Sequence, residues 1–350
     1  MSGLSATLRS WLFWACTVGL ALLPLMPEGL PLSGPFYTFL WVDCLVFGML
    51  AMALDILMGY TGLVSFGHAA FFGLGAYSLA VLNQFYKIQS LWAALLVMAA
   101  VVGVYALIVS YFATTRRGIY FALLTLVFAE VVHRFFFYNY AFNASDGIQG
   151  LAAATIAPDV PLNTPWKIYY TVLAFLLISY LAASTLVRSN FGRVLAAIRE
   201  NEDRARFLGY NVRRYKMASC VISALLAGLA GVLYAARSSF ATPDLLVWTL
   251  SGEAIVMVML GGMGTLVGPI LGGAFFTILV EKVSSVWEYY FIAIGVTLAA
   301  VVLFMPTGLF GLFGRWTRRR EAAPADGRVE GAAAAAGPRR DAAAPAEPRA

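Results

Sequence analysis

The sequence predicts an all-α polytopic membrane protein of about ten transmembrane helices, some short or broken at glycines, with both termini cytoplasmic. Three observations carry that prediction. Of 350 residues, 61% are hydrophobic and 12% charged, with mean hydropathy +0.79, where a soluble domain carries roughly 25% charged residues. Apolar windows of helix length recur along the chain, and about 20 apolar residues cross a roughly 30 Å hydrocarbon layer. Stretches such as LWAALLVMAAVVGVYALIVSYFA (residues 91–113) are apolar at every phase. Barrel strands instead alternate apolar and polar residues, which disfavours a barrel.

In order, the windows fall at about 10–27, 36–58, 62–82, 91–113, 118–138, 166–187, 216–236 and 286–305. The first follows Arg9 and is read as a retained helix, since no A-x-A cleavage site precedes the acidic loop at Glu28. Asp244 to Glu281 is too long for one helix and is interrupted by GGMGT at 261–265. Charge bias settles how to count it. With Arg9 inside, the basic segments Arg116–Arg117, Arg188–Lys216 and Arg315–Arg320 share the cytoplasmic side only if 244–281 crosses twice, as two short helices hinged at the glycines. That topology places 19 of 24 Lys and Arg inside, so the net charge of +6 reflects orientation rather than a nucleic-acid partner. Residues 1–35 then form an N-terminal segment with the first helix, 36–314 the transmembrane domain, and 315–350, rich in Ala, Pro, Gly and Arg, a disordered cytoplasmic tail.

Cys16, Cys44 and Cys220 lie in apolar runs without paired spacing and read as small core hydrophobes. His68 and His133 have no ligand cluster around them, so no metal site is expected. No G-x-x-x-x-G-K-[ST] loop occurs, and neither H-E-x-x-H nor G-x-S-x-G is present. The chain is therefore expected neither to hydrolyse ATP nor to be a membrane enzyme.

The longest polar stretch on the inner side is 188–216. Leu195, Ile198, Ala205 and Leu208 stand at helix-like spacings, and Asn201 or Gly209 would suit breaks, which predicts one or two short amphipathic helices on the membrane surface. Two readings stand side by side. One is a solvated loop whose arginines follow the positive-inside rule; the other is a docking surface, an apolar face rimmed by Arg199, Glu200, Glu202 and Arg206.

Within that stretch, D203-R-A-R-F-L-G209 is similar to the E-A-A-x-x-x-G coupling motif of ATP-driven importers, with Ala205 and Gly209 in place, Asp203 standing for Glu and Arg204 for the first Ala. GYTGLVSFGHAAFFGLGAY (59–77), TTRRGIYFALLTLVFAE (114–130), SNFGRVLAAIRENE (189–202) and VMLGGMGTLVGPILG (258–272) follow in family order. Over 48–312 the chain resembles the LivM-type permease subunit of branched-chain amino acid ABC transporters. The resemblance implies a bacterial inner-membrane subunit that pairs with a related permease, two cytoplasmic ATPases holding ATP and Mg, and a periplasmic amino-acid-binding protein. It implies import of leucine, isoleucine and valine; urea and short-amide importers share much of the pattern. Arg199, Glu200, Glu202, Asp203, Ala205 and Gly209 would then form the ATPase coupling element. A proton-driven carrier with Glu130 and His133 as its relay is a further reading, but it leaves the 199–209 loop without a purpose.

For the translocation path the candidates are Ser65, Gly67, His68, Glu130 and the hinge glycines Gly261, Gly262 and Gly264. Glycines at 59, 62, 67, 73 and 75 let helices either unwind to expose backbone groups or pack closely, and both readings stand. Glu130 is expected to pair locally with His133 and Arg134, and Asp55 to snorkel to the inner interface. For Asp43 the sequence offers no partner. Ser145, Asp146 and Gly147, in the largest outer loop, read as an Asp-Gly turn or as a contact for the binding protein.

Overall fold

The computed structural model describes residues 34–157 and 160–285, with isolated positions 292, 295 and 296. The expected spans at 10–27 and 286–305, Cys16 and the 315–350 tail lie outside the described residues, those isolated positions apart.

Ten helices are described: α1 Pro35–Asp55, continued by a π-turn Ile56–Tyr60; α2 His68–Tyr86; α3 Leu91–Ala113; α4 Ile119–Tyr138; α5 Pro165–Arg188; α6 Asn190–Glu200; α7 Glu202–Phe207; α8 Val212–Ser238; α9 Trp248–Gly261; and α10 Val267–Ser284. Six of the helical stretches are long and apolar enough to cross a membrane: Phe36–Tyr60, α3, α4, α5, α8 and α10. Proline in the first turn starts α1 and α5, where a missing N–H costs nothing.

A helix that is apolar all round is buried either in protein or in lipid, and α1 is buried in protein. Its most apolar window is 83% buried, against 28% for α4, so α1 forms the centre and α4 belongs to the periphery. Around α1 pack α5, α8, α9 and α10, and α2 packs on α8. Close approach relies on glycine. A Cβ on Gly75 would stand 2.0 Å from the Gly228 carbonyl oxygen, and one on Gly231 would stand 1.8 Å from that of Phe72.

The segment 244–281 folds as expected into two helices, α9 and α10, hinged at the glycines: Gly262 and Gly264 adopt φ of +107° and +78°. One expected span needs correction. The window at 62–82 is helical only from His68, and 61–67 is irregular, because Gly62 turns the chain at φ +77°.

Contacts between loops define two ends of the bundle. At one end the 114–118 turn meets α7 through Arg117 and Asp203, which brings together two of the basic segments predicted to share a side. At the other, β1 (Ile148–Gln149) pairs antiparallel with β4 (Phe240–Ala241), while β2 (Thr155–Ala157) pairs with β3 (Val160–Pro161). Cys44 and Cys220 are buried and free, as expected.

Candidate functional site

The polar stretch 188–211 builds its two short helices from local signals. The Ser189 hydroxyl accepts from the Phe191 N–H at 3.2 Å to start α6, and the Asn201 side chain accepts from Arg204 N–H at 2.9 Å to start α7. After α7, Gly209 turns the chain at φ +90°. Both expected breaks are present.

The inner face of this loop consists of Val194, Ile198 and Ala205, which pack with Val212 against Tyr215; Leu195 is fully buried. Leu208, expected on that face, is 70% exposed, and Phe207 is 91% exposed. The helical period stops at Phe207, so Leu208 is carried outward with the turn. The apolar face expected to meet a partner is thus spent on the protein's own body, and the exposed apolar tip is Phe207–Leu208.

The rim charges are also used internally. Glu202 accepts Lys216 Nζ at 2.6 Å and lies 3.2 Å from Arg117 Nε and 3.5 Å from Arg206 Nη2. Asp203 accepts both Arg117 terminal nitrogens, at 2.8 and 3.1 Å, the two-pronged geometry that suits guanidinium and carboxylate. Arg117 holds the Asp203 carboxyl below the usual carboxylate range, and Asp203 in turn raises Arg117. Glu200 is exposed.

Arg199, itself exposed, reaches the π-turn at the end of α1, where its Nη1 donates to the Gly59 carbonyl. Beside it, Asp55 is fully buried. Its Oδ1 accepts from Gly264 N–H at 2.7 Å and its Oδ2 from Leu266 N–H at 3.2 Å. The expectation that Asp55 snorkels is therefore corrected: the carboxylate caps the α9–α10 hinge, whose turned backbone leaves N–H groups without helical partners. The hinge glycines Gly262 and Gly264 thus sit at the same end as α6–α7, with Gly261 closing α9 against the carbonyl of Gly268.

Ser65, Gly67 and His68 lie where the irregular 61–67 segment enters α2, and one hydrogen-bond arrangement satisfies every group. Ser223 donates to the Ala53 carbonyl and accepts from His68 Nε2–H at 2.7 Å. Ser65 accepts from Gly67 N–H at 3.2 Å and donates to His68 Nδ1 at 3.1 Å. His68 is then a neutral ring with its proton on Nε2. Further along, Thr61 donates to Ile56 O at 3.1 Å and shares a 2.7 Å bond with Ser219, and Ser251 accepts from Ala69 N–H at 2.8 Å. This buried hydroxyl seam joins α1, α2, α8 and α9. The sequence carried a signal for it, Ser219 and Ser223 one helical turn apart in an apolar span. Among the described residues no cluster of three or more His, Cys, Asp or Glu could hold a metal.

Glu130 pairs as expected with Arg134, at 2.7 Å, and stands 3.6 Å from His133 Nδ1. Both partners, His133 and Arg134, belong to its own helix α4 and not to the seam. Asp43, for which the sequence offers no partner, has one: Arg237 of α8, at 2.6 Å, whose guanidinium also lies 5.2 Å from the Phe39 ring centroid. Breaking a fully buried pair costs about 3 to 5 kcal/mol, and this half-buried one less. Arg237→Ala is expected to lower the thermal stability of the purified protein markedly, and the double variant Arg237→Gln with Asp43→Asn to recover much of it, both read by thermal unfolding in detergent.

In the loop after α4, Ala144–Asp146 forms a 3₁₀ turn, and a Cβ on Gly147 would meet the Ala241 carbonyl oxygen at 2.3 Å. Gly147 serves the β1–β4 pairing. Ser145 and Asp146 are exposed on an open cavity of about 810 Å³, which Asn83, Lys87, Tyr140 and Gln149 also line.

Comparison with known proteins gives the family. LivM of Escherichia coli K12, a high-affinity branched-chain amino acid transport system permease protein, is 27% identical over 288 residues, covering 76% of this chain and 68% of LivM. LivH of the same strain, named as a permease protein of a system of the same description, is 25% identical over 293 residues, 76% of this chain and 91% of LivH. LsrC of Klebsiella pneumoniae, an autoinducer 2 import system permease protein, is 34% identical over 154 residues, 41% of this chain and 44% of LsrC. The profile of the branched-chain amino acid transport system / permease component family matches residues 36–309, and the chain belongs to that family.

Proposed function

We propose that this chain is a transmembrane permease subunit of an ATP-driven importer that carries leucine, isoleucine and valine into the cytoplasm across the bacterial inner membrane. Family membership supports the cargo class, and the observation that carries the coupling role is the α6–α7 loop. Its acidic groups fasten it to the 114–118 turn and to α8, while its tip, Phe207–Leu208, is left exposed. A rigid loop with an apolar tip suits transmission of force from a soluble ATPase.

In this reading the chain crosses the membrane about ten times with both termini inside, and pairs with a second, related permease. Resemblance to both LivM and LivH supports that pairing. Two cytoplasmic ATPases bind ATP and Mg and hydrolyse the nucleotide, and a periplasmic binding protein delivers the amino acid, with Ser145, Asp146 and Gly147 at the delivering face. Ser65, Gly67 and His68 border the path.

The test is uptake of labelled leucine, with labelled urea in parallel, in cells lacking redundant carriers, with and without this chain. Loss of binding-protein-dependent leucine uptake with urea unaffected supports the reading. Unchanged leucine uptake moves the cargo to urea or another small solute.

A further inference from the structure

We infer that Asp55 and Arg199 are positioning residues for transport, joining the α6–α7 loop to the α9–α10 hinge so that displacement of the loop is delivered to the hairpin. The inference rests on the coupling role proposed above and adds the route by which that loop reaches the α9–α10 hairpin.

Three contacts compose the route. Arg199 leaves the end of α6 and donates to the Gly59 carbonyl. Gly59 lies in the π-turn Ile56–Tyr60, where a regular α-helical ladder is interrupted and carbonyls are open to outside donors. One turn earlier, Asp55 receives Gly264 N–H and Leu266 N–H. No slack separates these groups. A Cβ on Gly59 would fall 2.0 Å from Asp55 Oδ1 and 2.5 Å from Gly264 N, and one on Gly264 would lie 3.4 Å from Arg199 Nη1. Loop, π-turn and hinge therefore touch directly.

The energetics favour movement as a unit. Asp55 is fully buried and holds two backbone donors that have no other acceptor in the turn, so pulling the hinge away leaves a carboxylate unsatisfied in low dielectric. The hinge itself is pliant, with Gly262 and Gly264 at positive φ. A stiff clamp on a pliant turn rotates the turn before the clamp opens. The chemistry also explains why an arginine serves at 199: its fork reaches Gly59 while the charge lies beside Asp55.

The experiment uses the full complex in lipid nanodiscs, with a nitroxide at Met263→Cys, a hinge position 43% exposed, in a Cys16→Ser background; Cys44 and Cys220 are buried. ATP with vanadate is expected to change the label's spectrum in the parent, to leave it unchanged in Arg199→Gln and Asp55→Asn, and to change it normally in Arg204→Gln, an exposed control on the same loop. Both hinge variants are expected to keep ATP hydrolysis within twofold and to lose at least tenfold in leucine carried per ATP, with the double variant no worse than either single. A parent-like spectral change in Arg199→Gln overturns the connection, as does an additive loss in the double variant. The label responds without cargo. A parent complex that shows the spectral change but carries no leucine refutes the cargo and leaves the connection standing, provided the Arg199 variant abolishes that change.

Discussion

Gly231→Ala is expected to reduce the folded protein recovered from membranes to under a tenth of the parent level. The added Cβ would lie 1.8 Å from the Phe72 carbonyl oxygen and 2.8 Å from its carbon. Both are backbone atoms of α2, so no rotamer change relieves the contact, and α2 and α8 have to separate along the most extensively packed helix pair in the bundle. Overpacking of this kind costs about 1 to 3 kcal/mol where side chains can yield, and more where they cannot. Separation would also pull Ser223 of α8 from His68 of α2. Gly252→Ala is the matched control, since nothing lies within 4 Å of a Cβ there. Size-exclusion profiles of detergent extracts of the two variants make the measurement, and equal recovery would refute the packing argument.

Gly209→Val is expected to abolish transport while leaving the protein in the membrane at normal abundance. Nothing lies within 4 Å of a Cβ at 209, so the effect comes from the backbone alone. At φ +90° a β-branched residue is strained by about 1 to 3 kcal/mol, and the turn relaxes by turning Phe207 and Leu208 away from their exposed position. The core of the bundle does not feel this. Uptake of labelled leucine beside membrane abundance by immunoblot separates the two effects, and normal uptake would count against the coupling assignment.

Much of this could be read from the residues in order. Composition indicates helices in lipid; the distribution of arginines puts the 116–117 and 188–216 segments on one side, and the Arg117–Asp203 pair bears that out. GGMGT marks the hinge because consecutive glycines in an apolar run have no other structural purpose so economical. Three features were not legible, each for a definable reason. Asp43 and Arg237 meet across 194 residues, and such a pairing depends on the rotation of two helices about their axes, which one apolar sequence does not specify. The partners of Asp55 are backbone N–H groups, which every residue has and none advertises. Leu208 satisfies the helical period, yet the helix stops one residue before it. The hydroxyl seam was half legible: His68 and Ser65 stood out as polar residues, whereas Ser219 and Ser223 are small enough to pass for packing.

The cap on the hinge has a consequence for biosynthesis. Asp55 and the N–H of Gly264 are 209 residues apart, so at roughly 5 to 20 residues per second the carboxylate leaves the ribosome on the order of 10 to 40 seconds before its donors exist. An unpaired acidic side chain costs up to about 2.5 to 3.5 kcal/mol at the centre of an inserted helix and less toward its ends, where Asp55 stands in the Phe36–Tyr60 stretch, and Asp43 meets the same delay until Arg237 is made. The nascent α1 therefore emerges with two acidic groups whose partners do not yet exist. Those carboxylates have only water or the insertion machinery to face until α8, α9 and the hinge are made, so the helix at the centre of the finished bundle acquires its last hydrogen bonds late.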